Sequence, residues 1–106
     1  MEKSAQSPED CHSMADLRRA IDALDAELVS LLARRQRYIE RAAQIKADRA
    51  AVRDEARVEE VVAKVLARAR EKNLNPEIAE AVWRALIEAS IAHEFAAFDA
   101  KIQVAR

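Results

Sequence analysis

The chain has 106 residues and a formal net charge of −1 at pH 7, and it contains no glycine and two prolines. A chain of this length makes one domain, and the nearly balanced charge argues against a general nucleic-acid or membrane binder. The scarcity of glycine and proline leaves little turn chemistry for β-hairpins, so the composition predicts an all-helical protein.

The core and the compartment can also be judged from composition. Half of the residues are apolar but only four are Phe, Tyr or Trp, so one copy would have a thin core and self-association is expected. The one cysteine, Cys11, has no metal-ligand spacing around it and suits a reducing compartment. No signal-peptide pattern or membrane-span length is present, so the sequence predicts a soluble cytoplasmic protein.

The N-terminal residues 1–12 are polar and aperiodic, and we predict a flexible tail there ahead of one helical domain over residues 13–106. Ser13 followed by Asp16 resembles a capping box. The first helix should therefore begin near Ser13 or Met14 and run to about Asp48.

The first helix carries one long apolar stripe, formed by Leu17, Ile21, Leu24, Leu28, Leu31, Tyr38, Ala42 and Ile45. A helix of this length extends ~45 Å, which exceeds the expected diameter of a compact chain of this size. We therefore expect the stripe to pack against a second copy of the chain.

Two cations lie on the stripe, because at ~100° per residue Arg35 and Lys46 both fall within ~20° of Leu28. A buried cation needs a carboxylate or an anionic ligand. Arg35 and Lys46 are ~16 Å apart along the axis, so their side chains can enclose a small ligand. Arg18 lies too far from Arg35 to join them within one copy, but an antiparallel helix pair would bring it alongside from the partner.

Each of these cations also has a plainer interpretation. Arg18 could be a surface arginine paired with Asp22 one turn on. Arg35 could extend out of the stripe to reach solvent, and Lys46 could be a cation favoured by the negative end of the helix dipole.

The remaining elements are marked by capping residues. Residues 48–53 lack periodicity and should break the chain, and Asp54 is a plausible N-cap for a second helix. Asn73 suits a left-handed position at the end of that helix. Asn75 followed by Pro76 should begin a third helix that runs to about Lys101, making a tight pair with the second.

One acidic residue of the third helix lies among apolar neighbours: Glu94 is flanked by Ile87, Ile91, Phe95 and Phe98. Burial disfavours the ionised form of a carboxyl group, so Glu94 is a candidate hydrogen-bond donor at moderately acid pH. Its alternative partners are Lys101, Arg106 or a cation from helix one. Ser90 lies one turn earlier, and His12 and His93 have no metal-ligand spacing and are expected to face solvent.

Four segments in combination resemble the AroQ-type, all-helical chorismate mutases over about residues 13–99: LRRAIDALDAELVSLLARR, AAQIK, VRDEAR and LIEASIAHE. The resemblance implies three helices per chain in an intertwined homodimer with two active sites, and no metal or cofactor. It implies substrate-binding roles for Arg18 from the partner and for Arg35, Arg57, Asp54, Val58 and Ser90, and catalytic roles for Lys46 and Glu94.

The implied chemistry fits these charges. Chorismate is a dianion, and arginine forks bind carboxylates well. Its rearrangement to prephenate is pericyclic and needs no nucleophile. Lys46 and protonated Glu94 would stabilise the negative charge that grows on the ether oxygen as the C–O bond breaks.

Two positions depart from the family pattern. Glu94 replaces the glutamine of many bacterial members, and Val58 replaces a glutamate that holds the substrate hydroxyl. The isochorismate-pyruvate lyases also have an apolar residue there, and they open with a similar lead, here Pro8 to Cys11. We favour a chorismate mutase.

Three other functions stay open. Two of them are enzymes: an isochorismate-pyruvate lyase that forms salicylate, and an aminodeoxychorismate mutase. The third is a non-catalytic helical dimer that touches nucleic acid through exposed arginines, namely Arg34, Arg37, Arg41 and Arg49.

Overall fold

The computed structural model describes residues 6–105, and within that range the protein is all-helical with no strand. Its three α-helices are α1 (Met14–Ile45), α2 (Glu55–Glu71) and α3 (Pro76–Ala105). Short 3-10 turns cover Pro8–Asp10 and Arg49–Ala51. The predicted three-helix fold is confirmed. None of the helices in this range has the length and apolar character needed to cross a membrane.

The start of α1 agrees with the predicted capping residues, with one shift. The Ser13 hydroxyl accepts a hydrogen bond from the backbone N–H of Asp16 at 3.1 Å. The Asp16 carboxylate accepts from the N–H of His12 at 3.2 Å, one residue earlier than the capping-box pattern places it. Residues 1–5 of the predicted tail lie outside the described residues.

The end of α1 comes three residues before the predicted end at Asp48. The reason is local, because Asp48 itself caps the following 3-10 turn by accepting a hydrogen bond from the N–H of Ala50 at 3.0 Å. An aspartate that accepts this bond competes with continued helix. The predicted break over residues 48–53 is confirmed.

Residues 6–37 form one compact unit, in which Ala20 is the one buried residue of the described part. Leu17 is half-buried, and the other large apolar side chains of α1 in this unit are 43 to 65% exposed. These exposed residues are Met14, Ile21, Leu24, Leu28, Val29, Leu31 and Leu32. A single copy therefore leaves the predicted stripe of this unit in contact with solvent.

Residues 38–105 form the other unit, and the hydrophobic core lies within it. The last turns of α1, the connector between α1 and α2, and both later helices contribute buried side chains, which are Ala43, Val52, Val58, Val62, Ile87, Ile91 and Phe98. Val52 belongs to the connector, where the sequence shows no periodic signal. Its burial brings the connector onto the core.

The turn between α2 and α3 has the predicted chemistry. Asn73 has a φ of 58°, in the left-handed region. Its N–H donates to the carbonyl of Arg70 at 3.4 Å, and the N–H of Leu74 donates to Ala69 at 2.8 Å, the pair of bonds that closes a Schellman motif. Asn75 Oδ1 then accepts from the N–H of Glu77 at 2.9 Å and caps α3.

Exposed ion pairs join α3 to the elements packed on it. Arg84 binds both carboxylate oxygens of Glu59 on α2, at 3.0 and 3.1 Å. These hydrogen bonds lower the pKa of Glu59. Such exposed pairs contribute little stability individually, so the buried side chains hold α2 and α3 together.

Replacing Asn73 tests this turn. Asn73→Ala should lower the free energy of unfolding by about 1 kcal/mol, because alanine tolerates positive φ poorly, and Asn73→Gly should change it by less than about 0.5 kcal/mol. Urea denaturation at one fixed protein concentration measures both. Lys72→Ala is the matched control, since Lys72 has a φ of −99°. Equal stability of Asn73→Ala and the parent chain would contradict this account.

Candidate active site

The two residues predicted to be catalytic lie in direct contact. Lys46 follows α1 immediately, and its N–H still donates to the carbonyl of Ala42 at 2.9 Å. Its Nζ donates to Oε2 of Glu94 at 2.7 Å. The side chain of Glu94 is 6% exposed and that of Lys46 is 29% exposed. Of the alternative partners for Glu94 within the described residues, the structure shows the cation at the end of helix one, and Arg106 lies outside that range.

The surroundings of Glu94 are apolar, as its neighbours in the sequence predict. Ile87, Ile91 and Phe98 of α3 are all buried in the core cluster. A buried carboxylate without a partner is strongly destabilising, so the ammonium group of Lys46 is needed at this position. Ser90 lies one helical turn before Glu94 on the same side of α3 and is half-buried.

A second lysine, Lys101, binds backbone carbonyls at the end of α1, next to this pair. Lys101 Nζ donates to the carbonyls of Ala43 and Lys46, each at 2.8 Å, and lies 3.4 Å from that of Gln44. It also lies 4.2 Å from the ring centroid of Phe98. The sequence suggested Lys101 only as a partner for Glu94. No local signal could have revealed its contacts, because the bonded residues are 55 to 58 positions apart.

The connector between α1 and α2 is also attached to α3. Arg49 donates to both oxygens of Asp99, at 2.8 and 3.1 Å, and its guanidinium lies 4.4 Å from the ring centroid of Phe95. The hydrogen bonds from Arg49 lower the pKa of Asp99. Arg53 donates to both oxygens of Glu88, at 2.7 and 3.1 Å. The connector that follows Lys46 is thus held at both of its ends.

The three predicted substrate-binding residues at the start of α2 differ in their contacts and in their burial. Asp54 is the N-cap, and its Oδ1 accepts from the N–H of Arg57 at 3.1 Å. The guanidinium of Arg57 is exposed and donates to Glu60 at 2.6 Å, which lowers the pKa of that carboxyl. Val58 is buried in the core cluster that includes Ile91. The Arg57 side chain therefore contacts Glu60 and not the Lys46–Glu94 pair.

The other two predicted arginines lie on α1 within residues 6–37. Arg18 is exposed and Arg35 is half-buried. Arg18 forms no ion pair with any residue in the described range, so the alternative pairing with Asp22 is not observed there.

A shallow open groove of about 670 Å³ lies beside the end of α1. Its lining residues are Glu40, Gln44, His93, Ala96, Ala97, Ala100, Lys101 and Val104. His93 is exposed, as predicted, and its Nε2 lies 2.7 Å from Oε2 of Glu40. Residues 6–105 hold no group of three or more His, Cys, Asp or Glu side chains that could bind a metal ion. Three of the eight lining residues are alanines, and neither Lys46 nor Glu94 is among the eight.

Comparison with known proteins gives two similarities. Residues 17–95 match the family described as chorismate mutase type II. Over 89 residues the chain is 34% identical to the isochorismate pyruvate lyase of Pseudomonas aeruginosa, and the alignment covers 84% of this chain and 88% of that protein. The family match includes Lys46 and Glu94 at the contact described above.

The strength of the Lys46–Glu94 contact can be measured by a double-mutant cycle. Lys46→Met should lower the free energy of unfolding at pH 7 by about 3 kcal/mol, because it leaves a buried carboxylate without a partner. Glu94→Gln should cost about 1 kcal/mol, since Lys46 can extend to solvent. The double variant should be clearly less destabilised than the sum of the two.

The surface pair Arg53–Glu88 provides the matched control for this cycle. Both of its side chains are exposed, and the coupling from Arg53→Met and Glu88→Gln should stay below about 1 kcal/mol. A Lys46–Glu94 coupling no larger than the Arg53–Glu88 coupling would show that burial does not strengthen the pair.

Proposed function

Because this chain belongs to the chorismate mutase type II family, we propose that it is a chorismate mutase that rearranges chorismate to prephenate. The family and the lyase relative indicate an enzyme of the isomerase or lyase type. The observation that carries the proposed chemistry, cleavage of a C–O bond without a nucleophile, is the buried contact of Lys46 with Glu94 at 2.7 Å. The motif resemblance assigns both of these residues to the ether oxygen of the substrate.

The pair suits a reaction that breaks a C–O bond without a nucleophile. An ammonium group has three N–H donors, so Lys46 can keep its bond to Glu94 and still donate to an ether oxygen beside it. A donor fixed in an apolar setting stabilises developing negative charge more strongly than a donor in water. Protonated Glu94 would supply a second donor, whereas its carboxylate form would repel that charge.

Three arginines are proposed to bind the two carboxylates of the substrate. Arg35 and the partner's Arg18 would form the main forks, and Arg57 would assist them. Arg57 would have to leave Glu60 for this role. Both of those side chains are more than half exposed, so breaking that ion pair costs little.

We propose that the enzyme is a homodimer in which the α1 helices pack antiparallel. The support is the row of large apolar side chains on α1, which are 43% or more exposed within residues 6–37. Exposed apolar faces of this size are typical of protein interfaces. Packing two copies along this face would bring Arg18 of one copy to the site of the other.

A second candidate is an isochorismate-pyruvate lyase. Two observations favour it: the 34% identity to the Pseudomonas aeruginosa enzyme, and the apolar Val58 where a mutase usually holds the substrate hydroxyl with a glutamate. Both reactions break the bond from the ring to the enolpyruvyl oxygen, so the Lys46–Glu94 pair could serve either one. The assay therefore has to offer both substrates.

The proposal predicts the result of a side-by-side assay with chorismate and isochorismate at about pH 5 and pH 8. We expect prephenate formation to exceed salicylate formation at both pH values. Prephenate should form faster at the lower pH, because only protonated Glu94 donates a hydrogen bond. Product analysis by liquid chromatography separates the two activities, and dominant salicylate formation would make the protein a lyase.

Glu94→Gln is the matched variant for the pH effect, since an amide donates at both pH values. Its rate with chorismate should be nearly independent of pH over this range. A variant that keeps the pH profile of the parent enzyme would remove Glu94 from the mechanism.

The dimer arrangement predicts complementation between two inactive variants. Arg18→Ala and Arg35→Ala should each lose most activity alone. After equal amounts are mixed, about half of the dimers should be heterodimers, and each heterodimer has one intact site out of two. The mixture should therefore recover up to about one quarter of the activity of the same amount of parent enzyme. Native mass spectrometry confirms subunit exchange. Complete exchange without any recovery would place Arg18 in the site of its own copy.

A further inference from the structure

The C-terminal end of α1 lacks the usual helix caps. The last carbonyls of a helix have no partner within the helix, and most helices satisfy them with a left-handed residue or a nearby cation. Among the described residues the positive φ belongs to Asn73, which ends α2. The last turn of α1 contains no basic residue. The end of α1 therefore depends on a group from elsewhere in the chain.

Lys101 of α3 supplies that group. Its Nζ is 2.8 Å from the carbonyl oxygen of Ala43 and 3.4 Å from that of Gln44, so it caps the final turn. It also lies 2.8 Å from the carbonyl oxygen of Lys46, which is outside the helix. A positive charge here is favoured by the negative end of the helix dipole. One amine thus joins the helix end to the backbone of the proposed catalytic lysine.

We propose that Lys101 is a positioning residue that fixes the backbone of Lys46, and thereby directs Lys46 Nζ toward Glu94 and the reacting ether oxygen. This inference rests on the proposed function for its catalytic part. Lys101 contacts the main chain and does not need to touch the substrate. Its Nζ also lies 4.2 Å from the ring centroid of Phe98, a cation–π contact with a buried core residue that helps to hold the amine in place.

Lys46 needs a positioning residue because it lies at a helix terminus. Residues that follow a helix end are prone to fray, and a displacement of ~1 Å in a catalytic group can lower a rate by about 10²-fold. The Arg49–Asp99 pair holds the connector three residues later, but both of its side chains are about half exposed. Lys101 is the group that binds the carbonyl of Lys46 itself.

The test compares Lys101→Met with Lys64→Met, the same change at an exposed lysine of α2. Methionine keeps the apolar stem of Lys101 and removes its donors. With chorismate, Lys101→Met should lower kcat by about tenfold or more while KM changes by less than about threefold, because binding by the arginines is retained. Lys64→Met should leave both constants unchanged.

A rescue experiment separates the amine from general packing. Cys11 is the sole cysteine, so Lys101→Cys can be made in a Cys11→Ser background and alkylated with 2-bromoethylamine, which rebuilds a lysine-like side chain. Alkylation should restore most of kcat. If kcat stays low after complete alkylation, or if Lys101→Met leaves kcat unchanged, the positioning role is overturned.

A measurement that does not depend on enzyme activity tests this inference separately from the proposed function. The coupling of Lys46 with Glu94, measured from unfolding of the single and double variants, should fall by at least about half in the Lys101→Met background. An unchanged coupling overturns the inference even if the enzyme is active. A reduced coupling in a protein that converts neither substrate supports the inference and overturns the proposed function. If Lys101→Met does not fold, Lys101→Gln is judged by the same readouts.

Discussion

The buried contact between Lys46 and Glu94 is the interaction on which the rest of the site depends. A carboxylate that is 6% exposed on an apolar face needs a cation beside it, and the neighbouring residues on α3 are Ile87, Ile91 and Phe98. The cation is Lys46, which directly follows α1, so α1 must end next to Glu94 of α3. Folding of residues 38–105 and formation of the proposed reaction centre therefore share one requirement.

Several contacts of the connector and of the end of α1 meet that requirement. Asp48, two residues after Lys46, starts a new turn, and Val52 brings the connector onto the core. Lys101 binds the carbonyls at the end of α1, and Arg49 pairs with Asp99 on the next part of the connector. The charged residues around the connector are thus used mainly to fix its backbone. The proposed chemistry is assigned to the Lys46–Glu94 pair, whose carboxyl group is buried.

The sequence predicted the features that rest on local chemistry. Asp54, Asn73 and Asn75 each act through bonds to residues within five positions, so the ends of α2 and the start of α3 were predicted correctly. The burial of Glu94 followed from helical periodicity. The motifs predicted the family, which the match over residues 17–95 confirms.

The features that the sequence did not reveal all depend on distant contacts. Lys101 binds residues more than fifty positions away, and the burial of Val52 depends on where the connector crosses α3. The choice between mutase and lyase does not follow from the sequence either, because the residue at the position of the usual glutamate is the apolar Val58. Val58 is buried in the core cluster. An apolar side chain at this position carries no hydrogen bond by which to tell one ring hydroxyl from another.

The central claim is that Lys46 and Glu94 together contact the oxygen of the breaking bond. The most direct measurement is a crystal structure of the protein with a bicyclic ether dicarboxylate shaped like the rearrangement transition state. We expect the ether oxygen of that ligand within about 3 Å of Lys46 Nζ and also within hydrogen-bond distance of the Glu94 carboxyl group. A ligand bound in the groove beside His93, or one that contacts neither Lys46 nor Glu94, would contradict the account.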